Sequence, residues 1–262
     1  MNMELLNVNF LDTTTMVTVD SGTSTVDELF DRRSTLQYQS SGYAGDSTYT
    51  AIKITFPSSK DVDRIILQNH NLKRFEVYYN TIDAAFYVPL TGADTTSAVW
   101  TGNSATDLYL CCSLSSIDSI IIYARDSIVP LQEKKIGELW ITESQLELED
   151  NPNAKQYKPK YERREYTHRM SDGGVSQYII DKTFSADIKL TFQSETMRDD
   201  LLTIYDDTDP VVFVPFPTTT GWNGKEIYEM NWVGDFEFVQ PAGENYNTLG
   251  WNGTLRLRET PK

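Results

Sequence analysis

The sequence predicts an all-β protein of two domains, and three observations predict it. Apolar and polar residues alternate with period two in one segment after another. Aromatic residues reach 12%, with Tyr 15, Phe 11 and Trp 5. Only one segment carries well-capped helical spacing. Strands with one face on a core and one in water belong to antiparallel sheets. Aromatic and β-branched residues suit that half-buried, pleated surface.

The alternation is explicit. Ile52, Ile54 and Phe56 interleave with Lys53 and Thr55, and Phe75, Val77 and Tyr79 with Glu76 and Tyr78. Leu108, Leu110 and Cys112 share a face opposite Tyr109 and Cys111. Phe184, Ala186, Ile188, Leu190 and Phe192 interleave with Ser185, Asp187, Lys189 and Thr191. Tyr228, Met230 and Trp232 alternate with Glu229 and Asn231, and Leu255 and Leu257 with Thr254, Arg256 and Arg258. Asp172-Gly173-Gly174 reads as a hairpin turn between Tyr161–Met170 and Val175–Ile180. The helical signal lies near residues 195–205. Ser194 is its N-cap and Glu195 sits at the positive end of its dipole. Met197, Leu201, Leu202 and Tyr205 form its apolar stripe. Residues Val26 to Arg32 are a candidate for a second, shorter helix.

A length of 262 residues suits two domains. The acidic run through Glu143, Glu147, Glu149 and Asp150 into Pro152 has the composition of a linker. The expected division is therefore 1–142, a linker at 143–160, and 161–262. A basic stretch follows, with Lys155, Lys158, Lys160, Arg163 and Arg164. This charge flip would let linkers of neighbouring subunits pair; the alternative is a solvated linker. Gly221-Trp222-Asn223-Gly224 recurs as Gly250-Trp251-Asn252-Gly253, and both read as turns with an adjacent Trp.

The formal net charge of −15 repels nucleic acid and anionic membranes. No stretch approaches the ~20 apolar residues of a membrane span, and Met1 to Asp12 lacks a secretory pattern, so synthesis in a cytosol is expected. Cys111 and Cys112 are adjacent and read as small apolar fillers. No phosphate loop, nucleophile elbow or zinc-protease motif occurs. His70 and His168, the only histidines, have no nucleophile at a telling spacing. The expectation is no catalytic residue, no cofactor and no metal. Asp206, Asp207 and Asp209 read as a polar turn rather than a cation site. Asn252-Gly253-Thr254 fits a glycosylation acceptor without a secretory signal to support it. Two aromatics in loop-like contexts are candidates for stacking on a sugar: Tyr43, within Ser40 to Asp46, and Trp100, beside Thr101-Gly102-Asn103. The alternative for each is capping the core.

Residues 20–142 resemble the discoidin-like, or galactose-binding-like, β-sandwich. The resemblance rests on Glu28-Leu29-Phe30-Asp31 followed by Ser34-Thr35 and Tyr38, on Ala51 to Phe56, on Asp63 to Leu67, and on Lys135-Ile136-Gly137-Glu138-Leu139-Trp140-Ile141. It implies a jelly-roll sandwich with sugar or lipid head groups bound at loops on one end. It also implies a structural calcium at Asp31, Thr35 and Glu138. Arg32 replaces the usual Gly, the Asp-to-Thr spacing is one shorter, and Tyr38 replaces the usual Trp. The cations at Arg32 and Arg33 oppose a metal ion. Residues 160–262 resemble tail proteins of tailed phages, through Ile180 to Phe192, Arg198-Asp199-Asp200-Leu201-Leu202, and Asp209-Pro210 to Phe216. That resemblance implies a tail-tube-like β-barrel with one helix, forming an oligomeric ring, although distal tail proteins usually place the ring domain first. The combined expectation is a structural protein of a phage-like tail or baseplate, carried in the virion. Its partners would be copies of itself, other tail proteins and host surface carbohydrate. The alternatives are a glycan-binding adhesin and a polysaccharide-degrading enzyme.

Overall fold

The computed structural model describes residues 3–33, 35–42, 45, 48–81, 88–90, 99–143, 146–149, 156–217, 226–239 and 250–259, without the side chains of residues 180, 181 and 192. The chain forms two compact units. Met1–Asn7, Leu146–Pro217 and Tyr228–Lys262 make one; Val8–Gln145 and Thr218–Ile227 make the other. The first strand, β1 (Glu4–Leu6), thus belongs with the later part of the chain. The division expected at 1–142 and 161–262 differs in this respect.

The sandwich unit, 8–145, is antiparallel. Its strands are β2 (Val17–Val19), β3 (Tyr38–Gln39), β4 (Thr50–Gln68), β5 (Leu72–Thr81), β6 (Val88–Pro89), β7 (Val99–Trp100), β8 (Leu108–Ser127), β9 (Lys135–Ile136) and β10 (Glu138–Thr142). Seven of them form one sheet in the order β10-β4-β8-β5-β6, with β2 on β4 and β7 on β5; β3 and β9 pair separately. The inward parity of β4 switches along its length. Ile52, Ile54 and Phe56 face the core early, Ile65 and Leu67 later, and the ladder with β8 is irregular between Thr55 and Arg64. β8 does the same, with Leu110, Cys112 and Leu114 before Ile117 and then Ile120, Ile122 and Ala124. Each extra residue in a ladder bends the strand and flips its faces. Two strands of 19 and 20 residues thereby serve one core on both sides of their irregular stretches. Residues Thr23–Leu29 form a 3-10 helix, where the sequence pointed to a helix over 26–32.

The ribbon unit contains β1, β11 (Leu146–Glu147), β12 (Tyr157–Arg169), β13 (Val175–Gln193), α1 (Glu195–Asp206), β14 (Val211–Val214), β15 (Tyr228–Trp232), β16 (Phe238–Val239) and β17 (Trp251–Glu259). The sheet order is β11-β1-β14-β15-β17-β13-β12, all antiparallel, with β16 on β17. The alternating apolar residues of β13, Phe184, Ala186, Ile188 and Leu190, face a core with Leu5, Phe213, Met230, Leu255 and Leu257. The linker expected at 143–160 is structured at Leu146 and Leu148. Both are buried, because each alternates with a glutamate along a strand edge that pairs with β1. Asn252 and Gly253 lie within β17 rather than in a turn. A Cβ at Gly253 would meet the Phe238 ring at 3.0 Å, so this glycine is a packing residue. The matching Gly221 to Gly224 lie outside the described residues.

Helix α1 starts as its capping pattern predicts. Ser194 Oγ accepts the Met197 N–H at 3.0 Å, and Met197, Leu201 and Ile204 turn into the core. Ile204 takes the place expected for Leu202 and Tyr205, which are half-buried. Ser194→Ala orphans a helix-terminal N–H and is expected to cost about 1 kcal/mol, read from urea midpoints at unchanged slope.

Candidate functional site

The structure separates the sequence candidates. Trp100 is 2% exposed, and its ring lies parallel to Phe75, 5.0 Å between centroids and 3° between planes. It is a core residue, and its proposed sugar contact is corrected. The neighbouring glycine and asparagine mark a turn, but β7 pairing points the indole inward. Tyr43 lies outside the described residues. Among the described residues before it, Ser40 Oγ donates to Glu133 at 2.8 Å and the Gly42 N–H donates to Glu133 at 3.1 Å. The buried Lys134 donates from Nζ to the Gly45 carbonyl at 2.9 Å.

Of the residues implied for calcium, Asp31 accepts the Arg33 N–H at 2.9 Å within its own turn. Thr35 is exposed and Glu138 is fully buried on β10. Arg32 occupies the left-handed region at φ 59°, where the discoidin-like pattern has Gly, and its guanidinium lies 5.4 Å over the Trp140 ring. Among the described residues no group of three or more His, Cys, Asp or Glu is placed to hold a metal. Asp207 caps the turn to Asp209 by accepting its N–H at 3.2 Å, as a polar turn does.

His70 is buried beside Phe75. Its Nδ1 accepts the Leu72 N–H at 3.0 Å, so Nε2 carries the proton. Burial pushes its pKa down from the ordinary 6.5 to about 3. The folded state therefore holds His70 neutral while the unfolded chain takes up a proton below pH 6.5. Stability from this residue is complete above 6.5 and is lost at about 1.4 kcal/mol per pH unit as pH falls from there toward 3. His70→Asn keeps an acceptor for Leu72 and should flatten that part of a urea-stability profile measured between pH 7 and 4.5. His168, by contrast, is exposed on β12.

Two surfaces that were not singled out from sequence stand out in the structure. The first is the β12–β13 hairpin. β13 pairs with β17 only from Ser185 onward, yet its ladder with β12 continues back to the Arg169–Val175 pair. Beyond the Lys160–Ser185 rung the sheet is a two-stranded ribbon. Seven residues from Arg163 to Arg169, at about 3.4 Å each, carry it roughly 24 Å outward. It closes at Gly173, φ 85°, with Met170 N–H bonded to Gly174 O at 2.8 Å. From Arg163 to Lys182 its described side chains are exposed on both faces except the half-buried Ser176. Tyr166, Met170, Val175, Tyr178 and Ile179 are 44% to 61% exposed, and Tyr166 sits directly opposite Tyr178. A lone two-stranded ribbon is marginal in water, and this one exposes large apolar side chains on both faces.

The second is the outward face of β4, β8 and β5 in the sandwich unit. Tyr123 lies between Tyr49 and Tyr78, edge-to-face with both, at 5.2 and 5.8 Å. Arg125 covers the Tyr49 ring at 5.2 Å, and its Nε donates to Glu76 Oε1 at 2.5 Å. Tyr78 donates its hydroxyl to Glu76 Oε2 at 3.2 Å, and Arg74 stands 3.9 Å from the same carboxylate. Burial, then the Glu76 charge, raises the Tyr78 pKa.

No protein-family profile matches the chain, and no curated protein matches it. Solved structures similar to it are carbohydrate-binding and related modules. Chitosan-binding module 1 of a chitosanase/glucanase from Paenibacillus sp. IK-5 is 12% identical, spans 52% of this chain and 100% of its own, and has a TM-score of 0.40. CpGH89CBM32-6 from Clostridium perfringens is 13% identical over 52% of this chain and 100% of its own, with a TM-score of 0.40. An F5/8 type C domain from Bacteroides fragilis is 11% identical over 55% and 99%, with a TM-score of 0.37. What those modules bind is a property of those modules.

Proposed function

We propose that the protein works by contact rather than catalysis, as a structural subunit that associates with copies of itself through the β12–β13 ribbon. The ribbon is the observation that carries this reading. It exposes large apolar side chains on both faces, and its charge differs from that of the rest. Residues 163–182 hold four basic and three acidic residues, which leaves 19 basic and 35 acidic residues elsewhere out of totals of 23 and 38. A mildly basic arm on a strongly acidic body favours the body of a second copy as its partner. Such contacts repeated head to tail give a closed ring where the rotation between copies closes, and a filament where it does not. The tail or baseplate of a phage-like particle, with other tail proteins as neighbours and synthesis in the host cytoplasm, is the setting its sequence resemblance supports.

Light scattering on the purified protein across micromolar concentrations tests this. An oligomer that weakens at high salt is expected, and a strict monomer throughout would sink the reading. A second reading, contact with host glycan, is favoured by the tyrosine face of the sandwich unit and is compatible with the first.

A further inference from the structure

The outward face of β4, β8 and β5 departs from what a solvated sheet face requires. Its inward partners, Ile52, Ile54, Phe75, Val77, Ile120 and Ile122, already form the core. Lysines, threonines and serines would suffice outside. Instead, three tyrosines interlock around one carboxylate and one guanidinium.

The geometry restricts what this face binds. Each tyrosine has only two side-chain torsions; ring contacts hold all three, and a Glu76 bond also holds Tyr78, so little entropy is left to lose on binding. Tyr49 is 44% exposed, and Tyr78 and Tyr123 are half-buried, so ring surface is presented without being mobile. Arg125 uses only Nε on Glu76, and the remaining four N–H groups of its planar fork bond to no described residue. Glu76 is itself 7% exposed and holds its acceptor oxygens rigidly beside that fork.

A donor fork, a fixed acceptor and flat rings within one patch match a ligand with apolar C–H faces and pairs of hydroxyls. An anion is disfavoured by Glu76 and by a chain of net charge −15. A cation is disfavoured because Arg125 already covers Tyr49. An open sheet face suits a chain lying across it.

Resting on the glycan-contact reading, we propose that Tyr49, Tyr78, Tyr123, Arg125 and Glu76 form a binding platform for a neutral polysaccharide chain. Sugar C–H faces stack on the tyrosines, and the Arg125 fork with Glu76 engages neighbouring hydroxyls.

The test is calorimetry and affinity electrophoresis of the full chain with neutral polysaccharides (galactan, xylan, amylose and soluble chitin fragments). Arg125→Lys, Arg125→Ala and Tyr49→Ala are compared with the parent. Tyr49 is exposed and Arg125→Lys keeps the charge, so circular dichroism and melting are expected to be unchanged. Binding by the parent with a loss of about tenfold or more in each variant is expected, Lys included, because only the fork engages two hydroxyls together. Binding that all three well-folded variants retain would overturn this platform and leave glycan contact standing. Binding of acidic polysaccharide alone would overturn the neutral assignment. No binding to any sugar, or binding of a proline-rich peptide instead, would overturn both.

Discussion

A chain in which residues 163–182 are replaced by Asn-Gly is expected to be a well-folded monomer where the parent associates. Glu162 and Thr183 are register partners, so a two-residue turn closes the remaining strands at that rung. The deletion removes no side chain of the buried core, because Phe184, Ala186, Ile188 and Leu190 all lie beyond it. Melting should therefore stay within about 3 °C of the parent, since 1 kcal/mol corresponds to roughly that shift at this size. Association should weaken by about three orders of magnitude, roughly 4 kcal/mol, because a few large central side chains dominate such contacts. A milder variant separates side chains from backbone. Tyr166→Ser, Tyr178→Ser and Ile179→Thr together keep the ribbon and remove most of its apolar area. If both variants associate as the parent does, the ribbon is not the contact.

Trp100→Ala is expected to produce the largest single-residue loss of stability, about 3–5 kcal/mol. The indole is buried, and its parallel stacking on Phe75 adds an aromatic term of about 1 kcal/mol to the lost transfer and cavity energy. The melting temperature should fall on the order of 10 °C, and Trp100→Phe should recover most of that, because it preserves the stack. An unchanged melting temperature in the Ala variant would place the ring outside the core and reopen its role as a surface residue.

Much of the fold is legible in single residues. Phe184 to Leu190 alternate and all face the core, Ser194 caps α1, and Gly173 closes the hairpin between Met170 and Val175. What was not legible depends on long-range register. The parity switches in β4 and β8 come from bulges that no local pattern marks. Leu146 and Leu148 read as part of an acidic linker because their partner, β1, lies far earlier in the sequence. Trp100 sat among turn residues, and only its pairing with Phe75 shows where the ring goes. The tyrosine face was invisible for the same reason. Glu76 and Tyr78 on β5 meet Tyr123 and Arg125 on β8 only once those strands align. The ribbon was half legible: its turn and both strands could be read, while its exposure on both faces required knowing that β17 stops at Ser185.

The placement of β1 has a consequence for how the molecule is made. Leu5 pairs with both Leu146 and Phe213, so this short strand fills a lane whose walls follow much later in the chain. Residues 8–145 can collapse on their own contacts during translation, while β1 waits through a long loop closure. Cutting the chain after Asn7 would leave Val212 and Phe213 beside an empty slot with raw backbone donors. Such a fragment is expected to recruit a foreign strand and precipitate.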